Sequence, residues 1–162
     1  MTQKRLFFCC PAAYSEPYIR SKFEGSMAFF TALGSVFPFH DRDFVQMVRD
    51  FLITEDITDV IHVHAIDSFM MANTLNQQGE TDRLLNEIYH IHFAEINQFE
   101  GIQKKAASLS LFHMEYQAQQ ILSHPMLLPV IIENKINLKG LLIQNGQNKS
   151  LEFNLNLSLQ KQ

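Results

Sequence analysis

Tryptophan is absent from this chain, and its only two cysteines, Cys9 and Cys10, are neighbours. Adjacent strand residues point to opposite faces, so the pair is a poor disulfide framework, and free thiols suit a reducing compartment such as the cytoplasm. No stretch approaches the ~18–20 consecutive apolar residues of a transmembrane helix. The apolar run after Lys4-Arg5 also falls short of the ~7–15 residues that a secretory h-region needs. A charge excess is missing too. The net charge is -4, with Lys and Arg scattered and no basic run longer than Lys4-Arg5 or Lys104-Lys105, so neither nucleic acid nor an anionic membrane is an expected partner. No repeat, low-complexity tract or linker interrupts the sequence, and residues 1–162 read as one domain.

What is present suffices for a core. Hydrophobic residues make up 46% of the 162, and 14 of them are Phe. A chain of this length buries roughly 70% of its unfolded surface on folding. The apolar runs Arg5–Cys10 and Asp59–His64 end abruptly in polar groups. Such runs read as buried parallel strands whose carboxyl ends face a crevice, the usual ligand site of open α/β sheets. Between them, Pro11–Pro17 reads as a turn and Met27–Thr31 as a second strand broken by Gly34. Phe44, Val45, Val48, Phe51 and Leu52 recur at helical spacing behind Asp41, a plausible N-cap.

Residues 68–124 are largely helical in pattern, with Leu84, Leu85, Ile88, Ile91 and His92 on one face and Leu109, Phe112, Ile121 and Leu122 on another. The period then changes. Ile136–Ile143, the dipeptide Asn145-Gly146 and the alternating Leu151, Phe153, Leu155, Leu157 and Leu159 predict a hairpin whose last strand is a sheet edge, wet on one face. The fold class expected is α/β: a central, mainly parallel β-sheet flanked by helices, with a C-terminal edge hairpin.

The strand ends bring a thiol, an imidazole and a carboxylate together in principle: Cys10, His64 and Asp67. Zinc accepts all three ligand types, provided the thiol ionises and one position stays open for water. A plainer reading stands beside this one. Asp67 can cap a helix starting near Ser68, Cys10 can behave as a small hydrophobe, and His64 can hydrogen-bond inside the core. His62 shares a strand face with His64 and is the best substitute ligand if Asp67 fails. His90 and His92 diverge by ~200° on a helix and cannot chelate together.

These segments resemble the beta-class carbonic anhydrases, whose members carry Cys-x-Asp-x-Arg after the first strand and Gly-His-x-x-Cys after a later one. Cys10–Tyr14 falls where the first motif belongs and Val63–Asp67 where the second belongs. Gly25–Ser35 resembles the family's strand leading to Asn-Ala-Gly-Asn, and Leu122–Pro125 with Ile136–Ile143 resembles its closing helix and last strands. The similarity spans about Arg5 to Phe153 in consistent order. It implies zinc held by Cys10, His64 and a third ligand, here Asp67 in place of Cys. It also implies a homodimer, and higher oligomers are not expected because the first strand starts before any room for the family's N-terminal helical arm.

The catalytic pattern is eroded. The family's Asp-Arg pair is replaced by Ala12 and Tyr14, and its glycine before the ligand histidine by Val63. No residue is assigned a catalytic role. The expected function is a catalytically degenerate relative of the carbonic anhydrases, a cytoplasmic homodimeric binding or scaffold protein with an altered pocket for a small molecule or anion. The alternative is a zinc-dependent carbonic anhydrase or related hydrolase using a Cys10-His64-Asp67 metal site.

Overall fold

Short apolar runs bounded by polar turns build a five-stranded sheet. The computed structural model describes residues 3–156. Strands β1 (Lys4–Cys9), β2 (Ser26–Thr31), β3 (Asp59–Ala65), β4 (Asn137–Gln144) and β5 (Lys149–Asn154) lie in the order β2-β1-β3-β4-β5. All pairs are parallel except β4 with β5. Every residue of β3 is buried, as befits a central strand covered on both faces. Its first residue, Asp59, is tolerated there because Asn137 Nδ2 donates to one carboxylate oxygen at 3.0 Å and Thr58 Oγ1 to the other at 3.1 Å.

Helices cover both faces. Leu6, Phe8, Val60 and Leu138 pack against α2 (Arg42–Thr54), α6 (Ile102–Ser123) and α7 (Leu128–Glu133). The opposite face, with Phe7, Cys9, Ile61 and Val63, packs on Ile19 of α1 (Ser15–Lys22). Phe8 anchors the first face, its ring meeting those of Phe30, Phe37 and Phe39 at centroid distances of 5.5, 4.7 and 5.8 Å. Between β3 and β4, α3 (Phe69–Asn76), α4 (Arg83–Ile91) and α5 (Phe93–Asn97) join α6 through Met71, Leu85, Ile96 and Leu109.

Most expected elements are present, with instructive differences. Asp41 caps α2, accepting from the amides of Asp43 and Phe44. The turn expected at Pro11–Pro17 is instead a 3₁₀ turn at Pro11–Ala13 followed by α1. Pro17 is admissible there because the first-turn N–H groups have no helical partner, and a parallel β1–β2 pair needs a crossover element. Ile91, expected on a buried face, is exposed, and His92 stacks flat on Phe112 at 3.7 Å. The Asn145-Gly146 turn is present within a 3₁₀ turn closed by left-handed Asn148. Leu151 is exposed on the edge strand, whereas Leu155 is buried. Leu157 and Leu159 lie outside the described residues.

Candidate functional site

Cys10 sits one residue beyond β1 in extended backbone, buried against Ala13 and Ala65. Its sulfur accepts the Gly34 amide at 3.3 Å. Glycine is favoured at 34, where φ is 70° and a Cβ would approach Leu85 Cδ1 to 3.0 Å. Cys9 points to the opposite face, as alternation requires, and both thiols are free. Burial, reinforced by Glu16 and then by Cys10, pushes the Cys9 thiol up to about 12.

Asp67 lies beyond β3 but does not cap the next helix. Ser68 does so, through its hydroxyl on the Met71 amide, while Asp67 accepts from the Gly146 amide at 3.0 Å. A carboxylate reaching across to the β4–β5 turn ties two strand ends together. Beside it opens a groove of about 730 Å³ lined by Ala12, Tyr14, Asp67 and Asn145 among others. This is the crevice expected at the carboxyl ends of the strands. Ala12 and Tyr14 bring no charged pair to it.

His64 turns the other way, into the core between β3 and α6. Its Nε2 lies 2.6 Å from His113 Nδ1, and the two rings meet edge-on at 4.8 Å between centroids. His62, two residues earlier on the same face, closes the group with centroids 5.2 Å from His64 and 4.9 Å from His113. Its Nε2 lies 2.9 Å from the Ser35 carbonyl. A carbonyl only accepts, so that nitrogen carries the proton. Ser35, itself at φ 56°, is held by its hydroxyl on the Val63 carbonyl at 2.7 Å.

All three imidazoles are held neutral. Burial lowers His62 to about 4, opposed in part by the Ser35 carbonyl. Burial also carries His64 and His113 well below the ordinary value, with neighbouring histidines adding to the effect. Neutral imidazole is the metal-binding form. Among the described residues, the His, Cys, Asp and Glu side chains that gather as a group able to hold a metal are His62, His64 and His113, with one ligand atom from each within 4.8 Å of the others.

The residues singled out in the sequence therefore separate into three settings: Cys10 on the Gly34 amide, Asp67 on the Gly146 amide, and His64 in the histidine group. His62, the expected substitute ligand, joins His64. His113 was missed. Ala106, Leu109, Ser110, His113, Met114, Gln117, Ala118 and Ile121 form the buried stripe of α6. Phe112, expected on that face, is only partly buried. A three-to-four-residue period through Leu109 and Ile121 already passes through His113 and Gln117, so polar side chains on a core stripe were the available signal.

No protein-family model matches this chain, and no curated protein matches it in sequence. Solved structures do match in shape. A tetrameric beta-carbonic anhydrase of the filamentous ascomycete Sordaria macrospora superposes with a TM-score of 0.76 at 12% identity, covering 94% of this chain and 81% of that one. The beta-carbonic anhydrase CafA of the fungal pathogen Aspergillus fumigatus gives 0.75 at 15% identity, over 94% and 76% of the two chains. The Coccomyxa enzyme, solved with acetazolamide, gives 0.72 at 10%, over 94% and 72%. At such identities the likeness is one of backbone, and on that ground the chain has the fold of the beta-carbonic anhydrases.

Proposed function

We propose that this protein is a catalytically degenerate member of that fold, a cytoplasmic homodimer that binds a small molecule or anion at the strand-end groove or serves as a scaffold. One observation carries the reading. Ala12 and Tyr14 occupy the positions of the resembled Asp-Arg pair, while Asp67, at the position of the third ligand, bonds the Gly146 amide. Neither Ala12 nor Tyr14 supplies the carboxylate and guanidinium that would orient a metal-bound hydroxide and take its proton. Stopped-flow hydration of carbon dioxide by zinc-loaded protein should stay near background. Fast turnover that vanishes in both Cys10→Ala and His64→Ala would overturn the reading.

Self-association draws support from β5, an edge strand with Leu151 65% exposed beside a groove of about 490 Å³ lined by Tyr18, Ile66 and Leu142. The tetrameric assembly of the Sordaria protein is consistent with it. Sedimentation showing only monomer at micromolar concentration would refute the homodimer.

A second reading is favoured by strand register. Phe8 pairs with His62, so Cys10 and His64 are the next residues in phase on adjoining strands. Zinc on Cys10, His64 and Asp67 would support hydration or hydrolysis of a small electrophile, once Asp67 leaves Gly146 and His64 leaves His113. Stoichiometric zinc lost in Cys10→Ala is its test.

A further inference from the structure

The sheet face beneath α6 carries more unpartnered polar atoms than a core should hold. His62 donates Nε2–H to Ser35, which leaves Nδ1 a bare acceptor, buried and without a partner. Gln117 donates its amide to the Phe37 carbonyl at 3.2 Å, which leaves Oε1 buried and unpartnered. His113 Nε2 is buried and unpartnered as well. His62, His113 and Gln117 are 7%, 0% and 2% exposed. Each buried polar atom left unsatisfied costs about 1–3 kcal/mol. Gln117 and His62 border one small void of about 10 Å³. Bare acceptors left in a core need either a proton donor or a cation.

Two features select the cation. Three imidazoles from two different elements, β3 and α6, converge with ligand atoms within 4.8 Å of one another. Nitrogens bound tetrahedrally to one zinc at ~2.0–2.1 Å lie about 3.4 Å apart, so the widest pair needs to close by up to roughly 1.4 Å and the 2.6 Å bond between His64 and His113 has to open. The Ser35 carbonyl on His62 Nε2 is the support that metal-bound histidines ordinarily have, fixing both tautomer and ring direction.

We propose that His62, His64 and His113 form a buried site for a divalent transition metal of the zinc class. It differs from the Cys10-His64-Asp67 set in two of its three ligands, and it rests on the degenerate reading of the strand-end groove, because a zinc enzyme there would need His64. Three imidazoles without a thiolate suit zinc, copper, nickel and cobalt(II). A site so enclosed is structural, and its ion staples α6 to the central strand. His64 is shared by both ligand sets, so one chain satisfies one set at a time.

The test uses the full chain, freed of any affinity tag and equilibrated with zinc before removal of free ion. About one zinc per chain is expected, with thermal stability rising on zinc addition. Binding should weaken at least tenfold in His113→Leu and persist in Cys10→Ala and Asp67→Ala. X-ray absorption at the zinc edge of the unaltered protein should show nitrogen and oxygen neighbours without sulfur, a readout that needs no variant to fold. Folded, metal-free protein after zinc loading would overturn the proposal. A sulfur neighbour, or metal retained in His113→Leu and lost in Cys10→Ala, would overturn it in favour of the strand-end set. Failure of the homodimer would appear in sedimentation and leave these results unchanged, whereas failure of the degenerate reading would appear as fast hydration together with sulfur beside the zinc.

Discussion

Acid should destabilise the metal-free protein from its core, beginning near the pKa of a free imidazole. In the unfolded chain His62, His64 and His113 titrate near 6.5. In the folded protein burial holds His62 down at about 4 and the other two well below 6.5. Between these limits the unfolded chain binds more protons than the native one, so stability rises with pH. The full contribution is present above about pH 6.5, is lost progressively as pH falls, and levels off for His62 below about pH 4. For His62 alone the difference amounts to ~3 kcal/mol. With all three histidines the slope approaches ~4 kcal/mol per pH unit, against a total stability of about 5–15 kcal/mol. Lys139, the charged group bordering the same void, turns its ammonium toward Asp59 and Glu152 at 3.7 and 3.6 Å. Urea unfolding followed by circular dichroism, in chelator and from pH 7.5 to 4.5, measures the slope. His113→Leu should lower it by one proton, ~1.4 kcal/mol per pH unit. A urea midpoint constant from pH 7.5 to 5, or a slope unchanged in His113→Leu, would refute the neutral, desolvated histidine group.

Phe8→Ala should cost about 3–5 kcal/mol, read as a lower urea midpoint, because Phe8 is 2% exposed and meets three other Phe rings. Asp41→Ala should cost ~1 kcal/mol through loss of two capping bonds at α2. Cys9 should resist a thiol reagent at pH 8 in the native state and react on unfolding, since burial keeps it protonated; rapid labelling of Cys9 in folded protein would contradict this.

The sequence by itself determined the sheet and much of its order. Arg5–Cys10 and Asp59–His64 are apolar runs too short for helices and bounded by polar turns, so they became neighbouring parallel strands with Phe8 opposite His62. Asp41 ahead of a helical period and Asn145-Gly146 between alternating runs are local signals, and local signals survive in three dimensions. Period two also put His62 and His64 on one face. Only the tertiary structure decided which face that was, and what met it. Asp67 could cap the next helix or reach another strand end; Ser68 took the cap, and the approach of Gly146, distant in sequence, gave the carboxylate its partner. His113 joined the two strand histidines only because α6 crosses over β3 with its buried stripe inward. A sequence pattern fixes the direction of a side chain relative to its own element, whereas convergence depends on how elements separated by 49 residues pack, and packing is a property of the whole core.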